Sequence, residues 1–397
     1  MEAITPLLTS VSVIYTLADK SNSADISANV SGDLLSLTYE DKDGGEADTL
    51  SISLKDPDGK WAGSWTPERG DMIEVTLATQ DRGAVSTGKM IIDRLQTSGR
   101  PRVFTIDAVS IPMQNSIRRT LKTRAFTKMH LKDIAQQICT DNDLEMFWDS
   151  AITDDENQLY DKVDQSRVSD LEFLQKLCKD AGLSLKLSYE KLIIYGQESY
   201  ESKEPVCVLV ENASWITSWS FEAQQSERYK ACTVRWRDMA QKSRKSASSG
   251  SSSGSSGSSN RFLKQSSSGG NRFLDKSSLS GGSKKKASVG KKAEYHEYTY
   301  EDPSVEESGQ IYSLKKRAGS QAEAERLAKA QLRKLNLRQL TGSLEMVGNP
   351  LMAAGSVVAL SGFGSFDGNF IITSATHSMG SEGYRTSVQV RRVNNDY

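Results

Sequence analysis

Four cysteines and three histidines are the residues of this chain best suited to hold a metal or act as nucleophiles, and their spacing serves neither task. Cys139, Cys178, Cys207 and Cys232 lie far apart with no Cys-x-x-Cys pair, so buried reduced thiols are expected. His130, His296 and His377 are dispersed and have no partner at i, i+4, which points to solvent or turn positions and not to ligation. The run Asp41-Lys42-Asp43-Gly44-Gly45-Glu46-Ala47-Asp48 alternates carboxylates as a calcium loop does. Its bidentate glutamate would have to fall at Ile52, an apolar strand position, so a solvated hairpin turn is the better reading. Gly362-Phe363-Gly364-Ser365-Phe366 lacks the lysine and the spacing of a phosphate loop, no Gly-x-Ser-x-Gly elbow occurs, and no carboxylate pair stands in a recognisable glycosidase context. The expectation is a chain with no catalytic residues, no metal site and no cofactor.

The elements around these residues are mostly strands. Val11, Val13 and Tyr15 alternate with polar residues, as do Leu35 and Leu37, then Leu50, Ile52 and Leu54, then Ile73, Val75 and Leu77. Period two repeated at short spacing predicts a barrel or sandwich. Residues 116–200 change to helix, helix and hairpin. The clearest helix there has both ends written in sequence: Ser169 as N-cap, Asp170 and Glu172 at the positive end of the dipole, Leu171, Leu174, Leu177 and Cys178 on one face, and Gly182 as the stop. Its charged residues read as capping and solvation. Leu183, Leu185 and Leu187 then alternate before a turn at Tyr189-Glu190-Lys191 and a second strand from Leu192 to Tyr195. Val206 to Val210 is a continuous apolar run, which predicts a strand buried on both faces, and Trp215, Trp219 and Trp236 read as core or subunit-interface residues in preference to a sugar platform. Ser320 to Leu337 is the longest helix, with Ser320 as cap and Glu323 at the capping-box position.

The 397 residues are 37% hydrophobic and 25% charged, an ordinary soluble composition with room for two or three cores. No apolar run approaches the roughly 20 residues of a membrane-spanning helix, and the first residues do not read as a secretory signal. The net charge of −1 hides an asymmetry, because residues 241–292 carry about a dozen Lys and Arg against one Asp. The remainder is therefore acidic, which argues against specific nucleic-acid binding. That basic stretch is Ser, Gly and Lys, too poor in apolar surface to offset the entropy of ordering it. Within it Asn260-Arg261-Phe262-Leu263 recurs as Asn271-Arg272-Phe273-Leu274. Duplicated low-complexity filler is the plainer reading; the functional one is a pair of partner-docking anchors on a flexible tether.

Ser169-Asp170-Leu171-Glu172-Phe173-Leu174-Gln175-Lys176-Leu177-Cys178-Lys179-Asp180-Ala181-Gly182 resembles the central signature of the phage late control protein D family, the hub proteins of contractile tails. Leu131 to Ile138, Asp56 to Trp61 and Pro67 to Asp71 are similar to its preceding helix and N-terminal turns. Ala322 to Leu337, Thr341 to Leu344, Gly348-Asn349-Pro350, Ala354-Gly355, Gly362 to Gly368 and Gly383 to Thr386 are similar to its C-terminal half, so the likeness runs in order along nearly the whole chain. The resemblance implies an α+β, mainly β fold with two β-barrel, tube-like domains. The expected division is a first barrel over 1–115, an inserted α+β domain over 116–204, a second barrel with one long helix over 205–240 and 293–397, and a basic low-complexity insert over 241–292.

It also implies a structural role and no enzyme activity. The expected function is the baseplate hub of a contractile phage tail or tail-like particle. Three copies would form a ring adapting a sixfold tail tube to a threefold central spike. Expected partners are further copies in a homotrimer, the tail tube protein, the spike protein, baseplate wedge proteins and the tape measure protein, without membrane insertion, in a particle assembled in the host cytoplasm. The alternatives are a hub of a type VI or extracellular contractile injection system, and a tail-associated peptidoglycan hydrolase.

Overall fold

The computed structural model describes residues 9–43, 46–110, 116–188, 191–223, 228–237, 295–303, 305, 309–336 and 340–393. The first segment supplies β1 (Thr9–Thr16), β2 (Ser23–Asp25), α1 (Ser27–Asp33), β3 (Leu34–Lys42), β4 (Thr49–Lys55), β5 (Met72–Thr79), β6 (Gly83–Ser98) and β7 (Val103–Val109). They pair in the order β3-β4-β7-β6-β5-β1-β2. The alternation read from sequence becomes burial: Leu50, Ile52 and Leu54 on β4 and Ile73, Val75 and Leu77 on β5 are buried in one core, with Trp61 and Val30 inside it. The Asp56 turn is fastened by its own carboxylate, which accepts from the backbone N–H groups of Trp61 (3.0 Å) and Ala62 (3.1 Å).

The middle segment comprises α2 (Ser116–Arg119), β8 (Lys122–His130), α3 (Leu131–Asp141), β9 (Glu145–Trp148), β10 (Leu159–Val168), α4 (Asp170–Ala181), β11 (Leu183–Ser188), β12 (Lys191–Gly196) and α5 (Gln197–Glu201). β8 and β10 form one ribbon; β11, β12 and β9 form a second small sheet. Both helices turn apolar faces inward, and Ile134, Ile138, Leu174 and Leu177 meet Leu185, Leu192 and Ile194 in a core of their own.

The last segment gives β13 (Cys207–Val210), β14 (Ile216–Ala223), β15 (Tyr229–Trp236), β16 (His296–Glu301), β17 (Gln310–Ala318), α6 (Gln321–Asn336), β18 (Leu340–Val347), β19 (Val357–Ser361), β20 (Gly368–Gly380) and β21 (Gly383–Arg392). Strands β14-β18-β21-β20, with β19 and β13 branching from β20, enclose a second sheet core built on Leu344, Phe370, Ile372 and Val388. The two curled sheets are continuous. β20 pairs with β19 through its first residues and with β3 over Ser374–Met379, so one 13-stranded sheet carries both cores.

The long helix sits elsewhere. α6 packs on a separate three-stranded sheet, β16-β15-β17, where Ala324, Leu327, Ala328 and Leu332 cover Cys232 and Val234. Its ends follow the sequence reading: Ser320 Oγ accepts from the Glu323 N–H (3.2 Å), and the Glu323 carboxylate accepts from the Gly319 N–H (2.8 Å). β15 and β16 form a hairpin whose last register pair is Trp236 with His296, their rings 4.6 Å apart. The basic insert therefore leaves and re-enters at a closed hairpin end. The insert itself, with the repeat at residues 260–263 and 271–274, lies outside the described residues.

Two local readings are corrected. Only one face of the Val206–Val210 run is covered: Leu209 is fully buried while Val206, Val208 and Val210 are 45%, 56% and 44% exposed. His377 occupies neither solvent nor a turn. It is fully buried on β20, with Nε2 2.9 Å from the Met352 carbonyl and Nδ1 2.7 Å from the Tyr384 hydroxyl. A carbonyl can only accept, so Nε2 carries the proton and Nδ1 accepts from tyrosine. Burial pushes the imidazole below its usual range, which keeps it in this neutral form. Met352 belongs to one sheet core and Tyr384 to the other, so the ring pins the two together.

Candidate functional site

α4 is capped as its sequence requires. Ser169 Oγ accepts from the Glu172 N–H at 3.2 Å, and Gly182 closes the C-terminus at φ +78°, a left-handed conformation that favours glycine. Asp170 departs from the sequence reading. It is not solvated but fully buried, and four side chains converge on it: Lys122 at 2.7 Å, Arg124 at 2.8 Å, Gln165 at 2.9 Å and Asn142 at 3.0 Å. These come from β8, the end of α3 and β10, so one carboxylate ties together every long element of the middle segment. Burial opposes its charge, but the hydrogen bonds from Lys122, Asn142 and Gln165 and the Arg124 charge prevail and hold the carboxyl below the ordinary aspartate range. No sequence pattern pointed to this set, because the donors lie at distant, unpatterned positions. Beside it, Arg118, Arg119, Ser169, Leu171, Glu172 and Gln175 line an open groove of about 390 Å³.

A second charged junction corrects the reading of residues 41–48. Asp41 and Asp48 are 7% and 4% exposed, and Lys186 of β11 reaches between them, 2.6 Å from Asp41 and 3.4 Å from Asp48. The other Asp41 oxygen accepts from the Ala354 N–H (2.8 Å), and Asp48 accepts from the Lys42 N–H (3.0 Å). Burial and the neighbouring Asp41 charge raise the Asp48 carboxyl although Lys186 opposes the shift; burial works against the Lys186 ammonium, but the two carboxylates outweigh it and raise it too. Next to them the Tyr195 hydroxyl donates to Asp43. A third junction centres on Glu201 of α5, 3% exposed, which takes Arg391 of β21 at 2.7 Å and Arg333 of α6 at 2.9 Å. The first locks the elements of the middle segment together; the second and third join that segment to the sheets and helix around it.

Apolar side chains exposed at the sheet margin complete the candidate assembly surface. Besides the β13 valines, Trp219 on edge strand β14 is 44% exposed and packs on Phe221 and Phe363. Trp215 and Trp236 are partly buried against the second sheet core and the α6 unit. His130 caps α3 at the surface, and His296 stacks on Trp236. The four cysteines are free: Cys139, Cys178 and Cys232 are buried and Cys207 partly so. Among the described residues no three His, Cys, Asp or Glu side chains gather as a metal would need, and no helix is long and apolar enough to cross a membrane.

The chain is similar in structure to a tail protein from Neisseria meningitidis MC58, with a TM-score of 0.62 at 12% identity over 96% of this chain and 97% of that one. The family model "Phage tail baseplate hub (GPD)" matches residues 91–383, and the chain belongs to that family. It is 29% identical over 217 residues to the probable baseplate hub protein of Escherichia phage 186, covering 54% of each chain. It is 33% identical over 175 residues to the probable baseplate hub protein of Escherichia phage P2, covering 43% of each. It thus spans about half the length of these curated relatives.

Proposed function

We propose that this chain is a baseplate hub of a contractile tail, in which three copies form a ring adapting a sixfold tube to a threefold spike. The observation that carries the reading is the pair of sheet-enclosed cores in one continuous sheet: three copies then present six similar barrels to one side and three identical chains to the other. In this reading residues 1–115 and the 205–240 and 293–397 segments are the barrel domains, and 116–204 is an inserted domain. The role is structural and not catalytic, with tube, spike, wedge and tape measure proteins as partners in a virion or tail-like particle assembled in the host cytoplasm. The exposed margin of β13 supports it, because an uncharged edge with an aliphatic face is normally shielded in a protein that works alone. The mass of the native particle formed by the purified chain, with and without its spike protein, tests the ring. The 241–292 insert, with its repeats Asn260 to Leu263 and Asn271 to Leu274, would reach outward to baseplate neighbours. Normal particle assembly after deletion of residues 243–292 would sink that part.

A further inference from the structure

The core of the middle segment is closed on itself. Every buried member lies between Ile117 and Ile194, and among the described residues the single apolar neighbour from outside is Ala47. The chain leaves this unit through α5, and α5 is held firmly on the far side: Glu201 is bonded to Arg391 and Arg333, and Tyr200 packs on Val357, Ile371 and Val393. On that same far side α4 lies along α6, where Gly182 approaches Ala330 and the exposed Lys316–Asp180 pair (2.6 Å) adds little. Among the described residues the unit is fastened to the first sheet by Lys186 between the buried Asp41 and Asp48, with the Tyr195–Asp43 bond beside it.

We propose that residues 117–196 form a hinged body that pivots on its α5 and α6 side and is latched against the first sheet by Lys186, so that the seam with the first sheet opens in one piece when the latch is removed. The geometry favours this over general loosening. A part-buried lysine taken from two buried carboxylates leaves them facing each other uncompensated, so the closed seam becomes the costly arrangement, while the middle core gives up only its contact with Ala47. A hub built this way could hold one outline before assembly and another within it.

Amide hydrogen exchange on the intact Lys186→Met chain tests the idea. The expected result is exchange at least about tenfold faster in peptides covering 46–48 and 183–188, with α3, α4 and β4 to β7 at wild-type rates. Tyr195→Phe, which removes only the hydroxyl bonded to Asp43, should give the same pattern in milder form, and it carries the test if Lys186→Met does not accumulate. Unchanged exchange in the seam would overturn the latch. A uniform rise through both cores would overturn the hinge, since it would make the chain one cooperative body.

Discussion

Replacing Asp170 by asparagine separates two accounts of the same residue. If Asp170 acts only on the dipole of α4, its charge contributes about 0.3–1 kcal/mol, as at any exposed first turn. The structure makes it the buried acceptor for Lys122, Arg124, Gln165 and Asn142, with no exposure of its own. Removing one partner from a buried charge network leaves the others unpaired and costs about 3–5 kcal/mol. The amide also turns one accepting oxygen into a donor that faces donors. Ser169→Ala serves as a calibrant, since losing an N-cap costs about 1 kcal/mol. Urea unfolding followed by hydrogen exchange in α3 and α4 should show Asp170→Asn losing several times more than Ser169→Ala. A loss under about 1 kcal/mol would refute the network as a stabilising unit. The pH dependence has a definite sign. The folded carboxyl sits below the ordinary value near 3.8, so its contribution is complete above that value and disappears as pH falls through the folded pKa. Wild type should therefore lose its advantage over Asp170→Asn in acid.

Two further outcomes follow from packing. A Cβ at Gly348 would run into the Tyr384 ring, so Gly348→Ala should destabilise the chain by about 1–3 kcal/mol, measurable as a lowered thermal midpoint. Burial raises the thiols of Cys139 and Cys232 to about 11 and that of Cys178 to about 12, so these three should resist a thiol-disulfide reagent in the native chain, Cys207 should react first, and all four should react in denaturant.

Local signals in the sequence transferred well because they act within one turn of chain. Ser169, Gly182 and Ser320 terminate their helices as read, and the alternating leucines of β4 and β11 bury as their period demands. What escaped were contacts made at long range. Asp170, Asp41, Asp48 and His377 look like surface residues because polarity alone says nothing of partners 25 to 145 residues away. The Val206–Val210 run misled for a related reason: a strand with one open apolar face carries the same composition as a strand buried on both sides. Helix α6 was recognised in place and length, but its packing on its own small sheet depends on Cys232 and Val234, beyond the reach of its own periodicity.

The hub account is tested most directly by native mass spectrometry of the full chain, alone and mixed with its spike protein. It predicts three copies of 43.7 kDa in one particle. A chain that stays single in both preparations would contradict it.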